Sequence, residues 1–388
     1  MNRLPRKLKT KLEKRLQEDA FRQLGKPNHL IDFSSNDYLG FSKSEVIFRN
    51  TKVFLEEHNS KQNGATGSRL LSGNHKLYQI VEQQISTFHN SETALIFNSG
   101  YDANLGLFSC VPQRNDIIIY DEYCHASIRD GITMSKAKAF KFKHNDLKAL
   151  EKLILHHSEL VSESHQDMYI VTESVFSMDG DSPDLETLSQ ITKKYDANLI
   201  IDEAHAIGLY GKNGYGLINH LMLEDFIFAR TITFGKALGA HGAAILCRQD
   251  LKDYLINFSR PFIYTTALPP HTLATINSSY NEIIIQSESE ASNIKTLQSN
   301  IIFFKSELER LTLQELFIKS DSAIHCCVIS GNENAKRIAQ ELQNHGFDIK
   351  AILSPTVPKG EERLRLCLHS YNSSEEITKV LQLLATFV

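Results

Sequence analysis

The chain predicts an α/β protein with a mostly parallel sheet flanked by helices, followed by a small α+β domain. Two observations carry that expectation. Short apolar runs recur at residues 93–97, 116–120, 168–172, 198–201, 231–234 and 243–247, each bounded by polar residues and followed by a helical stretch. Continuous apolar strands alternating with helices imply a parallel sheet buried on both faces. The texture then changes after about residue 276. A long helical stretch runs to about Leu311, followed by a strand-like run at 323–330, a helix at 332–344, and strand-like runs near 348–353 and 364–368.

Each end of the chain has its own signal. The first 24 residues read as an amphipathic helix, because Leu8, Leu12, Leu16, Ala20 and Leu24 recur every four positions among Lys, Arg and Glu. Gly25 and Pro27 end it. Glu13, Glu18 and Asp19 speak against an organelle transit peptide, which is poor in acids, so a docking helix is expected. At the other end Ser373 and Glu376 have capping-box spacing and open a terminal helix. The expected division is an N-terminal helix and arm (1–50), a large domain (51–275) and a small C-terminal domain (276–388).

Composition excludes several classes. Lys plus Arg number 42 against 46 Asp plus Glu, a net charge of −4, which disfavours a nucleic-acid partner. No apolar run approaches the ~20 residues needed to cross a bilayer. The six cysteines form no C-x-x-C pair and show no zinc spacing, so no metal is expected. Scattered cysteines without a signal-peptide core fit a reducing, cytoplasmic setting and small core positions.

Two strings mislead. Asp202-Glu203-Ala204-His205 spells a helicase motif, yet Gly25-Lys26, Gly211-Lys212 and Gly235-Lys236 all lack the Ser or Thr of a phosphate loop. Gly208, Gly211, Gly214 and Gly216 loosely suggest a dinucleotide fingerprint but open no helix; turns account for them better.

The chemistry lies just beyond the strand ends, where ligands bind in such sheets. Asp202 and Lys236 stand at two successive ends. An amine and a carboxylate converging there suit pyridoxal phosphate, which needs a lysine for its aldehyde and a carboxylate against its pyridine nitrogen. Taken singly, such a Lys reads as a solvated residue and such an Asp as a helix cap. Ser99-Gly100-Tyr101 follows a strand and opens a helix, a place where backbone N–H groups hold a phosphate. Thr233 flanks the lysine, and His125 follows another strand and offers a flat ring.

These residues sit in ordered stretches that resemble the α-oxoamine synthases, the acyl-thioester-using branch of the fold-type I pyridoxal-phosphate enzymes. The stretches are residues 32–40 (DFSSNDYLG), 64–74 (GATGSRLLSGN), 97–104 (FNSGYDAN), 125–127 (HAS), 171–181 (VTESVFSMDGD), 201–208 (IDEAHAIG), 233–238 (TFGKAL), 262–270 (FIYTTALPP) and 355–366 (PTVPKGEERLRL). The resemblance implies an aspartate aminotransferase-like fold with a seven-stranded sheet. It implies that Lys236 binds the cofactor's aldehyde, Asp202 pairs with the pyridine nitrogen and His125 stacks on the ring. His205 and Ser177 would meet the phenolic oxygen, and Glu173 would lie beside the reacting centre. Gly100, Tyr101 and Thr233 would hold the phosphate, and Thr266 would reach the phosphate of the other subunit of a homodimer. Asn36 and Arg365 would bind an amino-acid carboxylate, with Arg363 as a neighbour expected to face the other way. Arg22 is placed loosely near the acyl group. The substrates implied are an amino acid and an acyl thioester on CoA or a carrier protein. A non-catalytic subunit of such an enzyme is the alternative from another class, and Lys236, Asp202 and His125 together argue against it. Tyr101 and Ala103-Asn104 stand where Phe-Ala-Ala-Asn is commoner, which removes no catalytic group.

Overall fold

The computed structural model describes residues 4–18, 20–25, 29–162, 166–211, 213–289 and 292–388. Asp19, Lys26, Pro27 and Lys212, named above, lie outside them. In chain order the strands are β1 (Ile31–Asp32), β2 (Thr93–Phe97), β3 (Ile117–Asp121), β4 (Lys138–Phe142), β5 (Met168–Glu173), β6 (Asn198–Asp202), β7 (Ile227–Thr233), β8 (Ala243–Cys247), β9 (Ile324–Val328), β10 (Phe347–Asp348), β11 (Lys350–Ile352) and β12 (Arg363–Cys367).

The chain forms two compact units. One holds residues 36–177 and 182–296; the other holds residues up to 35, 178–181 and 297–388. These bounds replace the expected ones at 50 and 275, for two reasons. β1 pairs in parallel with β10, which ties the start of the arm to the small unit. Helix Pro270–Ser287 packs on helices Glu45–Glu57 and Leu77–Phe88, which keeps it in the large one.

In the large unit seven strands take the order β2-β8-β7-β6-β5-β3-β4. β7, β6, β5, β3 and β4 run parallel, and β8 is antiparallel to both of its neighbours. Both faces are covered. Ile118, Val171, Ile200 and Ile245 enter one apolar cluster, while Ile117, Ile119, Ile170, Leu199 and Ile201 enter another. β4 has no counterpart among the expected runs. It is an edge strand with the sequence KAFKF and mostly exposed side chains, so it carries no apolar run to read. β7 begins earlier than the run at 231 because Arg230 interrupts its apolar character. That guanidinium is buried and paired with Glu203. At Gly208 the backbone takes φ +83°, and its N–H donates to Gly214 O at 2.9 Å, a turn in which glycine is the natural residue.

The single helix expected from 276 to 311 is two, Pro270–Ser287 and Asn293–Arg310. Pro270 occupies the first turn, where its missing N–H costs nothing. Ser292 Oγ accepts Ile294 N–H at 3.2 Å at the start of the second helix, which marks the break.

In the small unit β11, β12 and β9 form an antiparallel sheet. Helix Asn332–Asn344 lies where the periodicity places it, and the Ser373–Glu376 capping box is present at the start of helix Ser374–Phe387. The first helix spans only Arg6–Gln17, so Ala20 and Leu24 lie beyond it. None of its residues is buried, and Leu8, Leu12 and Leu16 remain exposed. Among the described residues the cysteines are free thiols, all but half-buried Cys110 being buried. No helix among these residues is long and apolar enough to cross a membrane.

Candidate active site

The C-terminal edge of the large sheet gathers the chemistry. A cavity of about 190 Å³ is lined by Lys236, Asp202, His125, Glu173, His205, Gly100, Tyr101 and Thr233 from the expected set. Asn104, Ser127, Ala204 and Thr231 complete it. The topology explains the convergence. Glu173 and Asp202 are direct ladder partners at the ends of β5 and β6. Glu203 N–H donates to Thr231 O, which fixes the exit of β6 against β7.

Lys236 lies in the connection from β7 to β8. That connection is closed by its own hydrogen bonds: Phe234 N–H to Gly242 O at 2.9 Å, Ala240 N–H to Phe234 O at 2.8 Å and Gly239 N–H to Lys236 O at 2.8 Å. The buried Asp202 carboxylate accepts Asn104 Nδ2–H at 2.7 Å and Ala204 N–H at 2.9 Å. His125 caps helix Ala126–Met134, its Nδ1 accepting Ser127 N–H at 3.2 Å, while its own N–H donates to Glu173 Oε1 at 2.6 Å. Partial burial holds the His125 imidazole below its ordinary pKa, and the charges of Lys236 and Arg129 act the same way against Asp202 and Asp130. Burial pushes the Glu173 carboxyl well above the usual range, with Asp202 adding to the rise and Lys236 opposing it. His205 is buried, and its Nδ1 lies 2.8 Å from Tyr38 Oη. Tyr38 Oη in turn donates to Asn36 Oδ1 at 3.2 Å.

Several expected residues stand outside the cavity lining. Ser99 caps helix Gly100–Cys110; its Oγ accepts Asp102 N–H and donates to Asp102 Oδ2, so its hydroxyl serves the helix. Tyr101, which does line the cavity, directs its hydroxyl to Asp130. Ser177 and Asn36 belong to the large unit, and Thr266 is exposed there with its carbonyl accepting Asn98 Nδ2–H at 2.8 Å. Arg22 is exposed in the small unit. Arg365 is buried on β12 of the same unit. The expectation that Arg363 faces away from Arg365 fails, because residues two apart share one face of a strand. Their difference lies in partners: the Arg363 guanidinium is engaged by Asp179 and by Met178 O. The DEAH string is likewise structural at Glu203, whose buried carboxylate accepts Leu217 N–H, Ile218 N–H and Arg230 Nη1–H.

Pyridoxal phosphate fits this donor set. A buried carboxylate, an amine on a short connection, an imidazole and the N-terminus of helix Gly100–Cys110 beside the Thr233 hydroxyl all border one cavity. A Cβ at Gly100 would touch only the Thr233 side chain, at 3.8 Å, so the backbone there is open to close approach. Fold and site together define a pyridoxal-phosphate enzyme of fold-type I.

Known proteins agree. Residues 28–384 match the family described as aminotransferase class I and II. A relative from Emericella nidulans, 8-amino-7-oxononanoate synthase, is 38% identical over 373 residues, covering 93% of this chain and 90% of its own. A serine palmitoyltransferase variant from S. paucimobilis, solved with a bound PLP–myriocin aldimine, superposes with a TM-score of 0.84 at 26% identity, over 98% of this chain and 96% of that one. The 8-amino-7-oxononanoate synthase of Francisella tularensis gives 0.76 at 30% identity, over 92% and 97%. The chain belongs to the class I and II aminotransferase family, in its α-oxoamine synthase branch, and is a pyridoxal-phosphate-dependent acyltransferase.

Proposed function

We propose that the enzyme joins L-alanine to a pimeloyl thioester, on CoA or a carrier protein, with loss of carbon dioxide and release of the free thiol, and so makes 8-amino-7-oxononanoate for biotin synthesis. The observation that carries this reading is the convergence of Lys236, Asp202, His125 and Glu173 on one cavity, in a chain whose relatives include synthases of that name. The stretches SNDYLG, GSRLLSG and VFSMDGD favour the same substrates. Glycine C-acetyltransferases, 5-aminolevulinate synthases and serine palmitoyltransferases share the frame but usually differ around GSRLLSG.

Pyridoxal phosphate, when bound, supplies a ring that spreads the electrons left at the amino acid's Cα. The remaining work falls to the chain. Asp202 keeps the pyridine nitrogen protonated. The Lys236 amine takes the Cα proton and later returns one. His125 covers the ring, while His205 and Ser177 hydrogen-bond the phenolic oxygen. The Gly100 and Tyr101 amides and the Thr233 hydroxyl hold the phosphate, and Thr266 serves the phosphate of the second subunit of a homodimer. Arg365 and Asn36 hold the amino-acid carboxylate, the guanidinium fork matching its two oxygens. Arg22 attends the acyl chain.

The test incubates purified protein and its Lys236→Ala variant with alanine, glycine or serine and a panel of acyl thioesters, with products read by mass spectrometry. The wild type should release the nine-carbon amino-ketone only from alanine with pimeloyl thioester, and the variant should release none. Product from glycine or serine alone would reassign the substrates. A colourless protein that forms no product would leave a non-catalytic subunit as the reading.

A further inference from the structure

Two residues that the sequence did not single out join Asp202 to His125. Asn104 and Ser127 are both buried, on helices Gly100–Cys110 and Ala126–Met134. Asn104 Nδ2 lies 2.7 Å from Asp202 Oδ2 and 3.0 Å from Ser127 Oγ. An amide nitrogen has two hydrogens and accepts nothing, so both are donated. Turning the amide over would set Oδ1 against the carboxylate, which fixes its orientation. Its Oδ1 has no hydrogen-bond partner among the described residues, consistent with an orientation dictated by Asp202. Ser127 Oγ therefore accepts from Asn104, and its own hydrogen goes to His125 Nδ1 at 2.8 Å. Ser127 N–H aims at the same Nδ1 at 3.2 Å. An atom that receives two donors carries no proton, so the imidazole proton is on Nε2.

We propose that Asn104 and Ser127 are positioning residues whose hydrogen-bond chain, with Asn104 donating to both Asp202 and Ser127 and Ser127 donating to His125, locks His125 as the neutral Nε2–H tautomer. A proton on Nδ1 would displace both Ser127 donors. The ring thus stays flat against its position, uncharged beside Lys236, while the same chain gives Asp202 the donor it needs. This inference rests on the roles proposed above for His125 and Asp202. The charged and titratable groups around the ring are Asp202 at the end of β6, Lys236 in the β7–β8 connection, Glu173 at the end of β5, Arg129 and Asp130 on its own helix, and Tyr101 on the facing one.

The experiment uses cofactor-loaded protein labelled with ¹⁵N-histidine, the His125 ring assigned by its loss in His125→Asn. The wild type should show an unprotonated Nδ1 and a protonated Nε2. In Ser127→Ala the pH at which His125 gains its second proton should rise by about one unit, a tenfold gain in proton affinity. Asn104→Leu should move it in the same direction, since the Ser127 hydroxyl loses its fixed direction, and Ser127→Thr should keep the wild-type value. A wild-type ring protonated on Nδ1 overturns the proposal, even if a variant fails to fold. An unmoved midpoint in a folded Ser127→Ala protein overturns it too. Failure of the proposed reaction would appear separately, as missing product with the tautomer intact.

Discussion

Glu173 and Asp202 face each other across the β5–β6 ladder, and a second buried negative charge beside Asp202 is costly. Burial and that neighbour raise the pH at which the folded chain releases the Glu173 proton. The unfolded chain releases it in the ordinary carboxyl range. The folded state then binds the extra proton, so stability is full below that range and falls as pH rises towards the folded value. The slope for one such proton is up to ~1.4 kcal/mol per pH unit. Glu173→Gln, which keeps the shape without the charge, should flatten this fall. Denaturant midpoints of cofactor-free protein between pH 4 and pH 8 will show it, and parallel curves for the two proteins would contradict it. At this scale the sequence was readable where residues stand directly after apolar runs, as Lys236, Asp202, His125 and Glu173 do. Asn104 and Ser127 were not, because an Asn on a helix and a Ser beside a His have ordinary readings until two helices are seen in contact. The Ser99 hydroxyl, at a helix start, is spent on the helix, which its place after a strand does not reveal.

Helices Gly100–Cys110 and Ala126–Met134, which supply Gly100, Tyr101, Asn104 and Ser127 to the cavity lining, meet closely. A Cβ on Gly131 would lie 2.8 Å from Phe108 Cβ and 3.0 Å from Asn104 O. Gly131→Ala should therefore force the helices apart, at a cost of about 1–3 kcal/mol. Because Asn104 is one of the contacts, cofactor affinity should fall along with the thermal midpoint. A variant that loses neither would show that the contact yields without effect. Elements of this kind are legible when burial is continuous and hidden when it is not. β8 is recoverable from AAILC, all of it buried, whereas the edge strand β4 writes lysines on its open face. The break between helices Pro270–Ser287 and Asn293–Arg310 was missed because Ser and Glu residues suit a helix end and a helix interior alike.

Across the whole molecule, one buried ion pair fastens the segment after β6 to the sheet. Arg230 on β7 meets Glu203, Asn219 Oδ1 at 2.6 Å and His89 O at 2.5 Å, and burial opposes the charge on each side of the pair. Removing one partner leaves the other charged and buried. Arg230→Met should cost about 3–5 kcal/mol, and the double change Glu203→Gln with Arg230→Met should recover much of it. Equal losses in the single and double variants, read by chemical denaturation, would deny the pair that role. The sequence showed the alternation that makes the sheet and the order of its motifs. It did not show how the chain divides, because β1 reaches its partner β10 from the far end of the sequence.

The reversed direction of β8 has a consequence for reach. A crossover between parallel strands needs a dozen or more residues, and a long free link explores a wide volume. Residues 234–242 instead return directly to an adjacent antiparallel strand, both ends pinned within one sheet and the middle cross-tied. The lysine amine therefore travels on its own side-chain bonds alone. To carry it further, the β7–β8 ladder would have to unzip in the interior of the sheet, so the arm's working radius is set by four methylenes and its lifetime in place by the sheet itself.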